Sequence, residues 1–349
     1  MSFSQKILQW YAEHKRSLPW RSTNDPYKIW LSEIMLQQTR VAQGMPYYHI
    51  FLENFPTITH LANASEQKVL KLWQGLGYYS RARNLHATAK MVAFEMGGQF
   101  PNTYSGLLKL KGVGDYTASA IASICFNEPQ PVIDGNVFRV LARYFGVTVA
   151  INGKQGPAYF KQMAGDVMDA ANIRDYNQGI MEFGAIQCTP KTPLCSKCPL
   201  NDGCTALAQN KVHELPVKLK KAKVKDRYFN YLVPLSLGRG GNYNTILRQR
   251  QDSGIWRHLW EFPLLESDSE INLEGVLEHL SQVLPLTETP EVYLYNEAAI
   301  IHKLTHQHLH TKFWIIQVNE PLKDGIPCSE LETYAVPVLL AEFIKAFKF

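Results

Sequence analysis

Two carboxylates and four cysteines are the residues of this 349-residue chain whose types and surroundings could do chemistry. Glu33 lies in residues 26–43, PYKIWLSEIMLQQTRVAQ, between Ile29-Trp30-Leu31 and Ile34-Met35-Leu36. A glutamate on a helix is ordinarily exposed, but this one has little polar surface beside it. Trp30, Glu33 and Gln37 stand at i, i+3 and i+7, which places them on one face of a helix. A carboxyl buried in this way has its pKa raised and can hold a proton near neutral pH, as a general acid must. Asp134 sits in VIDGNVFR, at the start of a helix, where an N-cap is the plain structural use of an aspartate. Cys188, Cys195, Cys198 and Cys204 follow the spacing C-x6-C-x2-C-x5-C, separated by the turn-forming Pro190, Pro193 and Pro199. Four thiolates so close in sequence can converge on one metal centre. A Cys₄ zinc site competes with an iron–sulfur cluster, although zinc is usually signalled by two CxxC pairs and only Cys195/Cys198 form one. Full ligation by four thiolates leaves no open position, so the role is structural or redox-sensing rather than catalytic.

The elements that must position these residues are helices. Residues 110–120, LKGVGDYTASA, set Gly112-Val113-Gly114 between two helix-forming segments, and Asp134 arrives eighteen residues after Tyr116. Both glycines can take positive φ and leave no Cβ in the way. The amides of a short loop opening a helix then point outward as an anion site; a simple tight turn between helices is the alternative. Ile7, Leu8, Trp10 and Tyr11 recur at helical spacing, as do Val69, Leu70, Leu72 and Trp73. Short breaks at Asn24-Asp25-Pro26, Phe55-Pro56, Phe100-Pro101, Glu128-Pro129 and Asn152-Gly153 argue an all-α region from 1 to 204. Residues 205–227, with the Lys-rich VKLKKAKVKDR, read as an interdomain linker. From 228 to 349 the pattern becomes α+β. Tyr231-Leu232-Val233, Thr245-Ile246-Leu247 and Phe313-Trp314-Ile315-Ile316 are strand-like, with the turn Gly238-Arg239-Gly240-Gly241-Asn242 among them. Residues 273–284 and 337–347 read as helices.

A chain 46% hydrophobic is long enough for two or three cores. Its net charge of +5 is unevenly spread. Residues 1–204 carry 20 Lys/Arg against 14 Asp/Glu, residues 205–227 carry 7 against 2, and residues 228–349 carry 9 against 15. A basic front and an acidic back place phosphate contacts in the first part and the linker; a solvated connector would also explain the linker lysines. No apolar run approaches a membrane span, and the charged first residues do not form a secretion signal. The chain is therefore expected to be soluble and intracellular, with no membrane partner. Disulfides are not expected in a reducing compartment, and Cys125 and Cys328 read as buried free thiols.

The hairpin followed by Val132-Ile133-Asp134-Gly135-Asn136-Val137-Phe138-Arg139 resembles the helix-hairpin-helix superfamily of DNA base-excision glycosylases, which share a Gly-rich hairpin and a following Pro/Gly-flanked Asp. LSEIMLQQTRV resembles the adenine DNA glycosylases of the MutY type, whose glutamate protonates adenine and activates water. The cysteine spacing resembles the 4Fe-4S loop of the endonuclease III and adenine glycosylase branch, which favours a 4Fe-4S cluster over zinc. Breaking an N-glycosidic bond develops positive charge on the sugar and negative charge on the leaving base. An acid on the base lowers that barrier by typically ~10²–10⁴-fold, and a fixed carboxylate stabilises the sugar cation. Glu33 takes the first role by its position, and the resemblance gives Asp134 the second, with Asn136 hydrogen-bonding inside the site.

The resemblance carries further residues. In the related glycosylase/lyases a lysine in the second helix of the hairpin attacks the sugar; here Tyr116 stands at that position, so water is the expected nucleophile. Tyr116 is expected close to Asp134 and the sugar, unless it is a packing aromatic. A glycosylase must also extract its base and fill the gap. Gln37-Gln38 and the Gly-flanked loop with Tyr78 are suited to that; the resemblance makes Gln37 and Tyr78 the intercalating residues beside the damaged guanine, and gives Arg16, Trp20, Arg21 and Gln178 to the pocket of the flipped adenine.

Residues 243–263 resemble the Nudix fold, but LLESDSEINLEGVLEHL after Pro263 lacks the glutamate-rich REuxEE helix that holds Mg²⁺, so hydrolysis is expected to be lost. His302, His306, His308 and His310 stand at even positions and read as one strand with its histidines on one side, a polar face or a metal site. The matching family loop is Phe-Ser-His, which reads 8-oxoguanine; here it is Leu304-Thr305-His306.

The whole pattern reads as a monofunctional adenine DNA glycosylase, a monomer acting in the bacterial cytoplasm on double-stranded DNA with adenine opposite 8-oxoguanine or guanine. In this reading residues 21–129 form a six-helix subdomain with the hairpin, 1–20 and 130–204 an iron–sulfur subdomain, and 228–349 a Nudix-like lesion-recognition domain. The competing readings are an endonuclease III-like lyase, opposed by Tyr116 and the extra domain, a non-catalytic DNA-damage binder, and a nucleotide pyrophosphohydrolase.

Overall fold

The computed structural model describes residues 1–219, 224–238, 241–347 and 349. They fall into two compact units, Met1–Asn63 with Asn84–Lys220 and Ala64–Arg83 with Lys221–Phe349. In chain order the first helices are α1 (Phe3–His14), α2 (Pro26–Leu36), α3 (Val41–Asn54), α4 (Ile58–Asn63), α5 (Glu66–Leu72) and α6 (Ser80–Lys90). There follow α7 (Tyr104–Leu107), α8 (Asp115–Phe126), α9 (Gly135–Phe145), α10 (Gly156–Val167), α11 (Ile173–Glu182) and α12 (Thr205–Ala208).

Two of these helices are buried almost all round, because their sequences are apolar all round. In α2 every residue from Ile29 to Met35 is buried, with Asp25 capping the helix by accepting from the Tyr27 amide and Pro26 in its first turn. In α8 every residue from Thr117 to Ile124 is buried. Its small side chains, Ala118, Ser119, Ala120, Ala122 and Ser123, leave room for α2 and α11 to pack closely. The α1–α11 contact is as tight: a Cβ at Gly179 would lie 3.1 Å from the Cβ of Tyr11. α1 buries Ile7, Trp10 and Tyr11, as their spacing requires.

The second unit is built on a sheet of order β6-β8-β1-β2-β9, with β5 also on β1 and β7 also on β8. Its strands are β1 (Lys225–Leu237), β2 (Tyr243–Thr245), β3 (Arg248–Gln249), β4 (Trp260–Glu261), β5 (Leu264–Ser267), β6 (Glu291–Leu294), β7 (Ile300–Lys303), β8 (Gln307–Val318) and β9 (Ile326–Pro327); β3 and β4 pair separately. The long β1 and β8 run parallel, with Tyr231 opposite Phe313. Both faces of this pair are covered, so the strands read as nearly continuous apolar runs. On one face Leu232, Trp314 and Ile316 pack with Val276 and Leu280 of α13 (Leu273–Val283). On the other, Phe313 stacks on Phe343 of α14 (Val338–Phe347) with ring centroids 3.9 Å apart.

The expected all-α region followed by an α+β region is what the structure has, and both C-terminal helices begin and end within one residue of expectation. Of Thr245-Ile246-Leu247, only Thr245 is in a strand, since β2 ends there and the chain leaves its sheet for β3, which pairs with β4. The stretch read as a linker contains α12, which packs on α9, and the first residues of β1. Its residues 220–223 lie outside the described residues, as do Arg239 and Gly240 of the expected Gly-rich turn. Among the described residues no helix is long and apolar enough to cross a membrane.

Candidate functional site

Glu33 occupies the last turn of α2 and is 8% exposed. Burial pushes its carboxyl up to about 7, against a lowering hydrogen bond from Tyr116 and with a further rise from the nearby Asp134 charge. Tyr116, in the first turn of α8, has its hydroxyl between Glu33 and the Met181 sulfur, 3.3 Å away. Burial, and then the Glu33 charge, hold that phenol well above its ordinary range, so it stays a donor.

Asp134 is the N-cap of α9. Its Oδ1 accepts from the amides of Asn136 at 2.9 Å and Val137 at 2.8 Å, and Oδ2 accepts from Asn136 Nδ2 at 2.7 Å. Burial raises its pKa, and the three N–H donors oppose that rise. Asn136 is itself held by Arg139, whose Nη2 donates to Asn136 Oδ1 at 3.0 Å and whose Nε donates to the Cys188 carbonyl at 2.7 Å. The capping and the site readings of Asp134 thus describe one geometry.

Glu33, Tyr116 and Asp134 line two adjoining cavities. One, of about 630 Å³, is also lined by Arg16, Trp20, Arg21, Asn136 and Gln178, so the structure gathers every residue expected around a flipped base. The other, of about 660 Å³, is lined by Gln37, Gln38 and Gly114. The first cavity has a further acid that the sequence pattern alone did not single out. Glu182 is 1% exposed and accepts from Arg16 Nε at 2.6 Å, Arg16 Nη2 at 2.5 Å and Arg21 Nη2 at 2.7 Å. Although burial raises its pKa, these bonds outweigh it and hold the carboxyl down at about 2. The signal that singled out Glu33, an acid inside an apolar run, is present here too in Ile180-Met181-Glu182-Phe183.

Two local expectations need correction. Gln37 does not share a helical face with Glu33, because α2 ends at Leu36 and Gln37 caps it in a non-helical conformation. The Gln37 amide donates to Thr117 Oγ1 at 3.1 Å, and Gln38 is left-handed at φ 54. In the hairpin only Gly112 has positive φ, +79, and a Cβ there would meet the Asn84 Cβ at 2.8 Å. Gly114 is the extended N-cap of α8, and the Val113 amide donates inward to the Leu110 carbonyl. The outward amides are therefore those of the first turn of α8, which has no intrahelical acceptors.

The four cysteines are unoxidised and line one cavity of about 30 Å³ together with Arg143, Pro193 and Leu194. The loop that carries them is closed by Leu194 donating to the Gln187 carbonyl at 3.0 Å and Gln187 Nε2 donating back to Leu194 at 2.7 Å. Arg143 is 3% exposed and reaches in from α9, donating to Cys188 Sγ at 3.3 Å and the Thr189 carbonyl at 2.8 Å. A buried cation facing four thiols suits a group in which they are thiolates. Among the described residues no three His, Cys, Asp or Glu side chains form a group that could hold a single metal ion.

In the second unit β7 and β8 form a hairpin whose tip is Leu304-Thr305-His306. The turn breaks the expected single strand: His308 and His310 share a face and both approach Asp226, at 3.7 and 2.9 Å, whereas His302 pairs with Leu309 and faces the other way. The tip residues line a cavity of about 360 Å³ with Tyr78 and Trp256. The Tyr78 and Thr305 hydroxyls are hydrogen-bonded at 2.5 Å. α13 carries Glu274 and Glu278, one turn apart, where a glutamate-rich metal helix would need more.

Comparison with known proteins gives the family. Residues 31–161 match the HhH-GPD superfamily of base excision DNA repair proteins, and residues 237–346 match the NUDIX domain. The adenine DNA glycosylase of Buchnera aphidicola subsp. Baizongia pistaciae is 35% identical over 90% of this chain and 86% of its own. That of Mus musculus is 33% identical over 91% of this chain and 71% of its own. Among solved structures, a thermostable thymine-DNA glycosylase superposes with a TM-score of 0.55 at 30% identity, over 59% of this chain and 95% of its own. A helical region matching the HhH-GPD superfamily, a Nudix-like region after it in the chain and this degree of identity place the chain among the adenine DNA glycosylases of base excision repair.

Proposed function

We propose that the chain hydrolyses the N-glycosidic bond of adenine opposite 8-oxoguanine or guanine in double-stranded DNA, without cutting the strand. The observation that carries this is the meeting of Glu33, Tyr116 and Asp134 on one cavity, with Glu33 poised near neutral pH. Protonated Glu33 gives its proton to the leaving base as the bond lengthens, and Tyr116 holds the carboxyl in place. Ionised Asp134 faces the developing sugar cation, its lone pairs fixed by the three N–H donors. Once the base has gone, the Glu33 carboxylate takes a proton from the attacking water. No amine stands where Tyr116 does, so a Schiff base has no donor.

Arg16, Trp20, Arg21 and Gln178 hold the flipped adenine, with Glu182 fixing both guanidinium groups. Gln37, Gln38, Tyr78 and the hairpin 112–114 engage the DNA, and Leu304, Thr305 and His306 read the opposite base. Cys188, Cys195, Cys198 and Cys204 hold a 4Fe-4S cluster, which organises the loop and leaves the excision chemistry to the carboxylates. Their placement around one cavity supports one shared metal centre, and the cysteine spacing favours the cluster over Cys₄ zinc; iron analysis with visible absorption separates the two. The protein acts as a monomer in the bacterial cytoplasm.

The deciding experiment is single-turnover incubation with a duplex carrying adenine opposite 8-oxoguanine, resolved with and without alkali. Strand breaks that appear only after alkali are expected. Breaks without alkali, or none in either case, refute the proposal.

A further inference from the structure

Asp134 is delivered by residues 127–134, a segment with no regular secondary structure. Among the described residues no strand pairs with it, and two side chains from other helices take up the Gln130 and Pro131 carbonyls and the Val132 amide. Asn177 of α11, 1% exposed, donates from Nδ2 to the Gln130 carbonyl at 2.8 Å and to Ser123 Oγ at 2.9 Å. Its Oδ1 accepts from the Val132 amide at 3.4 Å. Lys161 of α10 donates from Nζ to the Pro131 carbonyl at 2.9 Å and Ser119 Oγ at 2.8 Å, and pairs with the Asp115 carboxylate at 3.2 Å. All three ammonium protons are thereby used, and the ammonium also lies 5.5 Å from the centroid of the Tyr104 ring.

Both side chains hook the same two elements together. Tyr116, Ser119 and Ser123 stand at i, i+3 and i+7 and form one stripe along α8. Asn177 and Lys161 each hold one serine of that stripe and one or two groups of residues 130–132. We propose that Lys161 and Asn177 are positioning residues for base excision, clamping this segment to α8 so that the Asp134 carboxylate keeps its place relative to Tyr116 and Glu33. Lys161 has a second effect, since it neutralises Asp115 at the N-terminus of α8, where a carboxylate would otherwise repel a docking phosphate. The inference rests on Asp134 being the charge that faces the sugar.

The test is single-turnover excision of adenine opposite 8-oxoguanine as a function of pH, with affinity for an abasic product duplex and thermal melting measured alongside. Misplacing a reacting group by about 1 Å can slow a reaction about 10²-fold, and a loss of that order is expected for Asn177→Ala with little change in affinity. Lys161→Met is expected to lose both rate and affinity, and Lys161→Arg to recover part of each. Because the Asp134 charge helps to keep the proton on Glu33, the alkaline limb of the rate profile should move to lower pH in Asn177→Ala. Ser119→Ala and Ser123→Ala remove only hydroxyls from a helix that tolerates alanine, and serve if the larger changes do not fold. Wild-type rates and an unmoved limb overturn the proposal, as does a rate loss matched by lost affinity with the limb unmoved. Asp134→Asn is the control: full excision by that variant refutes the role of Asp134 itself, whereas its inactivity beside normal brace variants refutes only the brace.

Discussion

Replacing Glu33 by glutamine should abolish excision and at the same time stabilise the protein, by an amount that depends on pH. The carboxyl is lifted from 4.5 to about 7, chiefly by burial. At about 1.4 kcal/mol for each pH unit, ionising it in place costs the folded state about 3 kcal/mol. The sign follows from the direction of the shift. The folded pKa lies above the unfolded one, so the folded state holds this proton more tightly. The stability this provides is fully present below about 4.5, declines between 4.5 and about 7, and is gone above that. Glutamine is neutral throughout and its amide oxygen can still accept from Tyr116. The variant should therefore be about as stable as wild type at pH 4.5 and more stable by up to about 3 kcal/mol at pH 8.5. For a unit of this size that corresponds to roughly 6–12 °C in Tm. Melting the two proteins in parallel at several pH values measures it directly. A gain that is the same at every pH, or a net loss at pH 8.5, would show that Glu33 is not held protonated by its surroundings, and the acid role would fall with it.

Further expectations concern neighbouring groups. Single-turnover excision by the wild type should decline as pH rises through about 7, since the reacting form of Glu33 is the protonated one; a flat profile to pH 9 would contradict this. Glu182→Gln should destabilise the protein by about 3–5 kcal/mol at neutral pH, because it leaves Arg16 and Arg21 without their buried partner. With the Glu182 carboxyl held at about 2, the wild-type advantage should persist down to pH 4.5 and fade only as pH drops towards 2; denaturant titrations at pH 7 and pH 3 compare them. Gly112→Ala places a Cβ at positive φ and against Asn84, and should weaken DNA binding with about 1–3 kcal/mol of backbone strain, read as a raised Kd at fixed salt. Thr305→Ala removes the partner of the Tyr78 hydroxyl and should narrow the ratio of affinities for 8-oxoguanine over guanine duplexes; an unchanged ratio would exclude Thr305 from the reading.

The parts legible in the sequence are those governed by burial and local capping. Glu33 stood out because an acid in an apolar run has nowhere polar to go, and Asp134 because Asp-Gly-Asn opens a helix. Gln37 was misplaced because the backbone leaves the helix at Gln37 and turns left-handed at Gln38, with no Gly, Asn or Pro to mark the end. The β7–β8 turn was hidden for the same reason. Leu304-Thr305-His306 contains none of the Gly, Asn or Pro that usually mark a turn, and even spacing of histidines persists through it. Glu182 carried the same signal as Glu33, but its meaning depends on Arg16 and Arg21, more than 160 residues away. The braces on residues 130–132 are likewise invisible, since Lys161 and Asn177 look like ordinary helix-surface residues until the packing is known.

The two ends of the recognition problem differ in how freely they can change. Under the proposed function Asp134 is bound twice over, by the helix it caps and by the charge it would carry, so even asparagine, which would keep the cap, would forfeit the charge. The hairpin tip carries no such double duty. Two backbone bonds tie the tip, from the Leu304 amide to the Gln307 carbonyl and from the Lys225 amide to the His306 carbonyl, and the sheet and its two apolar faces lie beyond it. Side chains at 304–306 can therefore be exchanged at little expense to folding, so under the proposed function the choice of opposite base is open to redesign while the excision chemistry stays fixed.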